Sequence, residues 1–199
     1  MFYNFIDDKK EKVMKVVILG DSIRLAYGPR VEALLRKDGY DVFQPQDNCR
    51  FAKYTLRLLF DLKEQLKDAD VIYFNIGHWD LCNINEDEYN FSTLEEYSFN
   101  MKRVAKSLLK ITPHIIFATT TPVAKEYKYN KNSDIVLYNQ EATKIMNELG
   151  IKIFDLHKLI DEDVDQNIDK DMIHLSEKGT EIATKAVYEI IKKEIEKMN

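Results

Sequence analysis

The chain has 199 residues, 45% of them hydrophobic and 11% aromatic, which suits one α/β core and excludes a disordered chain or a disulfide-stapled miniprotein. Twenty-nine Lys and Arg stand against 34 Asp and Glu, a net charge of −5 with the signs mixed, so no basic stripe marks a nucleic-acid binder. The two cysteines, Cys49 and Cys82, lack CxxC spacing, and reduced thiols in a cytoplasmic protein are expected rather than zinc ligands or a disulfide.

The opening MFYNFIDDKKEKVMK has no apolar run of signal-peptide length, and no stretch reaches the ~18 apolar residues of a membrane span. Residues 1–13 read as an extension and 14–199 as a single domain. From Lys15, KVVILGDS is a β-branched run ending in glycine, as a buried parallel strand and its exit loop look. Val31, Leu34 and Leu35 give the following helix its apolar face, and the glycine of KDG ends it. YDVF, 40–43, is a second strand. Over 51–66, Leu56, Leu59, Leu62 and Leu66 recur three to four positions apart and predict a helix.

DVIYFNIG, 70–77, is a third strand, followed by a loop, HWDLCNINEDEYNF. Ser92 or Thr93 caps the next helix, with Glu95 and Glu96 in its first turn. HIIFATTTP, 114–122, is a fourth strand stopped by Pro122, and the polar AKEYKYNKNS after it is a surface loop. A helix from about Asp134 leads to a fifth strand, IKIFDL, and the last helix begins near Ser176. Strands alternating with helices predict a parallel sheet of about five strands covered on both faces, with a ligand site outside the strands' carboxyl ends.

At that edge the sequence places Gly20-Asp21-Ser22 after strand one, Gly77-His78-Trp79-Asp80 after strand three, and Asp171-Met172-Ile173-His174 before the last helix. A serine hydroxyl needs a base within ~3 Å to become a nucleophile, and the base needs an orienting carboxylate. Ser22, His174 and Asp171 can fill those roles. Alternatively Asp171 caps a turn and His174 is a surface residue. His114, His157 and Asp155 show no HxH or HExxH spacing, so no metal is expected, and no cofactor motif is present. Arg50 and Arg57 are expected to pair with Asp47 or Asp80.

The GDS block, Asn48 in DNCRFAKYTLRLL, the GHWD block and the DMIH block together resemble the successive motifs of the SGNH hydrolases, or GDSL-type esterases and lipases, over about residues 15–195. The resemblance implies a flavodoxin-like, three-layer α/β/α fold and ester hydrolysis with Ser22 as nucleophile, His174 as base and Asp171 orienting it. It implies an oxyanion hole built on the Ser22 N–H, and chemistry offers Asn48 and the close backbone approach allowed by Gly77 to complete it. Asn48 stands where the pattern has a glycine, and Trp79 where it has an asparagine.

His78, Trp79 and Asp80 are expected to border the substrate. Trp79, Tyr127 and Tyr129 suit an acetylated sugar, and no apolar lid of the kind a lipase would carry is visible. The expected partner is a small-molecule ester, with neither nucleic acid nor membrane, and the oligomeric state stays open. Two rival classes are a binding protein that keeps the fold without turnover, and a flavin or nucleotide protein. Against the latter, GDSIRLAYG lacks a phosphate-binding loop.

Overall fold

A computed structural model describes residues 13–198 apart from 86 and 88; the expected extension therefore lies outside the described residues except for Val13. Five parallel strands form one sheet in the order β2-β1-β3-β4-β5: β1 Lys15–Gly20, β2 Asp41–Phe43, β3 Val71–Asn75, β4 Ile115–Ala118 and β5 Lys152–Phe154. Every residue of β3 and β4 is buried, as a sheet with two covered faces requires. On one face α1, Ser22–Lys37, and α8, Glu177–Glu196, pack over Val16, Ile18, Tyr73 and Ile116. On the other, α2, Ala52–Asp61, α4, Leu94–Leu109, and α5, Asn132–Glu148, pack over Val17, Leu19, Phe74 and Phe117. The result is a three-layer α/β/α architecture of flavodoxin-like topology.

Strand order reverses at β1, whose neighbours are β2 on one side and β3 on the other, and an open parallel sheet has its crevice at such a reversal. The chain leaves the sheet early there. The third and fourth strands stop at Asn75 and Ala118, short of the lengths read from the sequence; Thr119 N–H still reaches the Phe154 carbonyl of β5 at 3.1 Å, and the backbone beyond turns to other partners. Thr120 N–H donates to Asn139 Oδ1 at 2.8 Å, and Asp80 N–H turns back to the Gly77 carbonyl at 2.9 Å.

The helix expected over 51–66 is bent at Leu62 into α2 and a short α3, Lys63–Leu66, which tips Leu66 into the core. Two further short helices, α6, Leu156–Asp161, and α7, Val164–Asn167, occupy acidic sequence that reads as loop; only Leu156 and Ile160, four apart, mark the first of them. The α4 cap is a full capping box, Thr93 Oγ1 accepting from Glu96 N–H and the Glu96 carboxylate from Thr93 N–H. Among the described residues no helix is long and apolar enough to cross a membrane.

Candidate active site

Ser22 is the first residue of α1, half-buried, at the exit of β1. Asp21 is the N-cap, its Oδ1 accepting from Ile23 N–H at 3.1 Å, so the Ser22 N–H is one of the first-turn donors that a helix leaves unpaired. The turn is pinned from beneath. Asp21 N–H donates to the Asn75 carbonyl at 3.2 Å, Asn75 Nδ2 donates to Asp21 Oδ1 at 2.8 Å, and Tyr27 O–H donates to Asn75 Oδ1 at 2.8 Å. A Cβ on Gly20 would sit 2.2 Å from Asn75 Oδ1, so only glycine leaves room for this side chain. Burial pushes the Asp21 carboxyl up to about 6 despite its hydrogen bonds.

From the side, Arg24 ties α1 to the loop after β2. Its Nη1 donates to Gln44 Oε1 at 3.0 Å and its Nη2 to the Asp47 carbonyl at 2.7 Å, while Cys49 N–H donates to the Gly20 carbonyl at 2.7 Å.

His174 Nε2 lies 2.9 Å from Ser22 Oγ, and His174 Nδ1 lies 2.6 Å from Asp171 Oδ2. The pair sits in a tight loop before α8 rather than on a helical turn. Asp171 Oδ1 accepts from the N–H groups of Ile173 and His174, at 3.1 and 3.0 Å, and Met172 between them adopts a left-handed φ of 72°. Asp169 N–H donates to the His174 carbonyl at 2.8 Å and Ala124 N–H to the Met172 carbonyl at 2.9 Å, which fixes the loop at both sides. Partial desolvation raises the Asp171 carboxyl, but the hydrogen bonds from His174 and Ile173 outweigh it and hold the group below the usual carboxylate range. Ser22, His174 and Asp171 thus form one connected line. A second histidine–carboxylate pair among the described residues, His114 Nδ1 and Glu194 Oε1 at 3.2 Å, lies at the opposite edge of the sheet, where His114 precedes β4, and Lys152 Nζ shares that carboxylate at 3.1 Å.

A cleft of about 270 Å³ opens above Ser22 and His174, lined by His78, Trp79, Cys82, Ile84, Tyr127, Asn130 and Ile173. A larger one of about 620 Å³ lies between α2 and α4 and includes none of the three aligned residues. His78 is buried at the inner end of the smaller cleft, with Nε2 3.0 Å from Thr121 Oγ1 and Nδ1 3.1 Å from Asn130 Nδ2. Burial drives its imidazole down to about 3. The donated Asn130 hydrogen makes Nδ1 the acceptor, so Nε2 carries the proton.

Asp80, read from sequence as bordering the substrate, does not face the cleft. It is buried behind Trp79, its Oδ2 accepting from Ala52 N–H and its Oδ1 from Ser92 O–H, both at 2.8 Å, and burial raises it to about 7. Its carboxylate staples the loop after β3 to the start of α2. Gly77 also differs from the expected oxyanion role. A Cβ there would lie 1.9 Å from Thr120 Oγ1, so the close approach that requires glycine is made by Thr120, and Gly77 does not line the cleft.

Asn48 N–H donates to Asp47 Oδ1 and Asn48 Oδ1 accepts from Arg50 N–H, each at 2.8 Å, leaving its Nδ2 uncommitted among the described residues. Asn48 does not line the cleft either, but the Cys49–Gly20 hydrogen bond holds its loop beside the exit of β1. Arg50 pairs with Asp47 as expected, at 3.2 Å, but Arg57 pairs with Asp61, one helical turn on, at 2.8 Å. Among the described residues no three His, Cys, Asp or Glu side chains are grouped to hold a metal ion.

No protein-family model matches the chain, and no curated protein matches it. Solved structures do. A lipase/acylhydrolase from Enterococcus faecalis superposes with a TM-score of 0.77 at 17% identity, over 91% of this chain and 96% of that one. An acetyl xylan esterase superposes with a TM-score of 0.73 at 17% identity, over 89% of this chain and 100% of the other. The likeness is one of fold. An acetylxylan esterase from Geobacillus stearothermophilus also matches, with a TM-score of 0.69 at 16% identity over 88% and 93% of the two chains; the matches include catalytic mutants of that enzyme, one with a serine and one with a histidine replaced by alanine.

The sequence left Asn75, Tyr27, Arg24 and Asn130 unmarked. Their signal was weak: a polar residue closing an apolar strand, and a tyrosine and an arginine on a helix face that otherwise reads as core or surface.

Proposed function

We propose that this protein is a cofactor-independent serine esterase, with Ser22 as nucleophile, His174 as base and Asp171 orienting the base. The observation that carries the reading is the unbroken line from Ser22 Oγ through His174 to Asp171, at 2.9 and 2.6 Å, at the carboxyl edge of the sheet. As Ser22 Oγ attacks an ester carbonyl, His174 Nε2 takes its proton and Asp171 steadies the imidazolium from the Nδ1 side. The oxyanion meets the unpaired Ser22 N–H at the positive end of α1, with Asn48 Nδ2 as the second donor. Collapse returns the proton to the departing alcohol, and water then attacks the acyl-enzyme with the same base.

The acylhydrolase and acetyl xylan esterase activities of the superposable structures support short acyl esters as the substrate class, acetylated sugars among them. A cytoplasmic setting fits two buried, unpaired thiols. The rival reading, a binding protein without turnover, draws on the indole at 79 and on the engaged Asn48 N–H, which leave the oxyanion fewer donors. Turnover of p-nitrophenyl acetate separates the two. Wild type should hydrolyse it and take one stable adduct from a serine-directed phosphonate, and Ser22→Ala should do neither while melting as wild type does. Equal turnover by Ser22→Ala overturns the assignment of the nucleophile, and no turnover by wild type favours the binding protein.

A further inference from the structure

The cleft beside Ser22 presents carbon. Trp79 is 37% exposed and Ile84 51%, large apolar side chains left open to solvent next to a candidate nucleophile, and Tyr127 and Ile173 continue the same wall. The polar groups at its inner end are occupied with one another. His78 is bonded through both ring nitrogens, Asn130 Nδ2 also donates to the His78 carbonyl at 3.1 Å, and Cys82 Sγ–H donates to the Trp79 carbonyl at 3.1 Å. Asn130 Oδ1 has no partner, but its neighbours cover it. A sugar hydroxyl entering here would exchange water for few partners, whereas a methylene would leave water for carbon.

Direction follows from the base. His174 and Asp171 stand at the open edge, their side chains 42% and 49% exposed, and the departing alcohol must pass His174 Nε2 to collect its proton. The alcohol therefore faces solvent, and the acyl group points inward to the end closed by His78, Cys82 and Asn130. At the roughly 30 Å³ of a water-sized group, about 270 Å³ holds about nine such groups, and the methyl of an acetyl fills one.

Resting on the esterase reading, we propose that this cleft is an acyl pocket for unbranched chains of about four to six carbons, with Trp79 and Ile84 setting the preference over acetyl. Each added methylene displaces water from an apolar wall until the inner end is reached. Acetyl esters are turned over, but they use the pocket poorly.

The test is kcat/KM on p-nitrophenyl acetate, butyrate and hexanoate, which share one leaving group. Wild type should gain roughly two- to fourfold per methylene. Ile84→Ser, at an exposed position that tolerates polarity, and Trp79→Ala should each lower the hexanoate-to-acetate ratio by about fivefold or more. A flat or falling wild-type series, with acetate turnover that still needs Ser22, overturns the acyl pocket and leaves the esterase standing. A steep series unchanged in both variants also overturns the assignment to this cleft. No turnover of any ester by wild type removes the esterase reading and this inference together.

Discussion

Asn75 Nδ2 donates to Asp21 Oδ1 at 2.8 Å, so the residue preceding Ser22 is held by a side chain from the middle strand of the sheet. The contact continues through Tyr27 O–H to Tyr73, a buried line running down from the Ser22 turn into the layer beneath α1. Asn75→Ala removes one donor from the Asp21 carboxyl, which keeps Ile23 N–H, and the acceptor of Tyr27 O–H, which keeps Tyr73. Stability should fall by about 1–3 kcal/mol. If the line also positions Ser22, kcat should drop about tenfold or more with KM little changed, since a displaced nucleophile harms attack more than binding. Denaturant unfolding and steady-state kinetics on one preparation check both; kcat within twofold of wild type would limit Asn75 to stability.

Asp171→Asn keeps an oxygen for the Ile173 and His174 N–H groups but turns an amide toward His174 Nδ1. That favours the tautomer protonated at Nε2, which cannot accept from Ser22. The equivalent change in a serine protease costs about 10⁴ in kcat. At this half-exposed site a loss of about 10² or more is expected, with Tm nearly unchanged, as stopped-flow measurement of the acylation burst should show.

Asn48→Asp separates two roles of one side chain. The carboxylate still accepts from Arg50 N–H, whose residue holds a left-handed φ of 49°, but the Nδ2 donor is gone. With no amide hydrogen left to meet the oxyanion, kcat should fall about 10²-fold while Tm stays close to wild type. Asn48→Ala should lower both. Wild-type turnover by Asn48→Asp would leave Asn48 a turn-former only.

Asp80 gives a pH signature in stability. Its folded value, about 7, lies above the ordinary carboxylate value of 3.8, so the folded state binds the proton more tightly than the unfolded chain does. This contribution is fully present below about pH 4 and is lost as pH rises to about 7, by up to about 1.4 kcal/mol per pH unit. Asp80→Asn can donate to Ser92 Oγ and accept from Ala52 N–H, retaining the staple without the charge. Its Tm should therefore exceed that of wild type at pH 8, and the two should converge only as pH falls to about 4 and below. Parallel melting curves across that range would place the raised group elsewhere.

The sheet was readable because its strands are short apolar runs, one ending at Gly20 and another followed closely by Gly77, and the helices because Leu and Val recur at helical spacing. Ser22, Asp171 and His174 were readable as types near one edge; the bonds that align them were not, because Asn75 and Arg24 act across strands and loops remote in sequence. Asp80 misleads for a physical reason. A carboxylate in a motif beside a loop reads as solvent-facing, yet two donors, Ala52 N–H and Ser92 O–H, are enough to hold it inside. The GHWD glycine misleads similarly, since the sequence does not reveal that Thr120 is the group pressing against it.

Ser22 and His174 are 152 positions apart, one opening the first helix and the other preceding the last. During synthesis the serine emerges long before the imidazole, so a growing chain carries an unactivated hydroxyl and no means of attacking nearby esters. Only when β5 has paired and α8 has docked does the final loop reach the first turn, and a contact of such long range is among the costlier ones to close. On the proposed esterase reading, ester turnover then serves as a gauge of completed assembly: in a refolding experiment, its return should lag the recovery of helical signal.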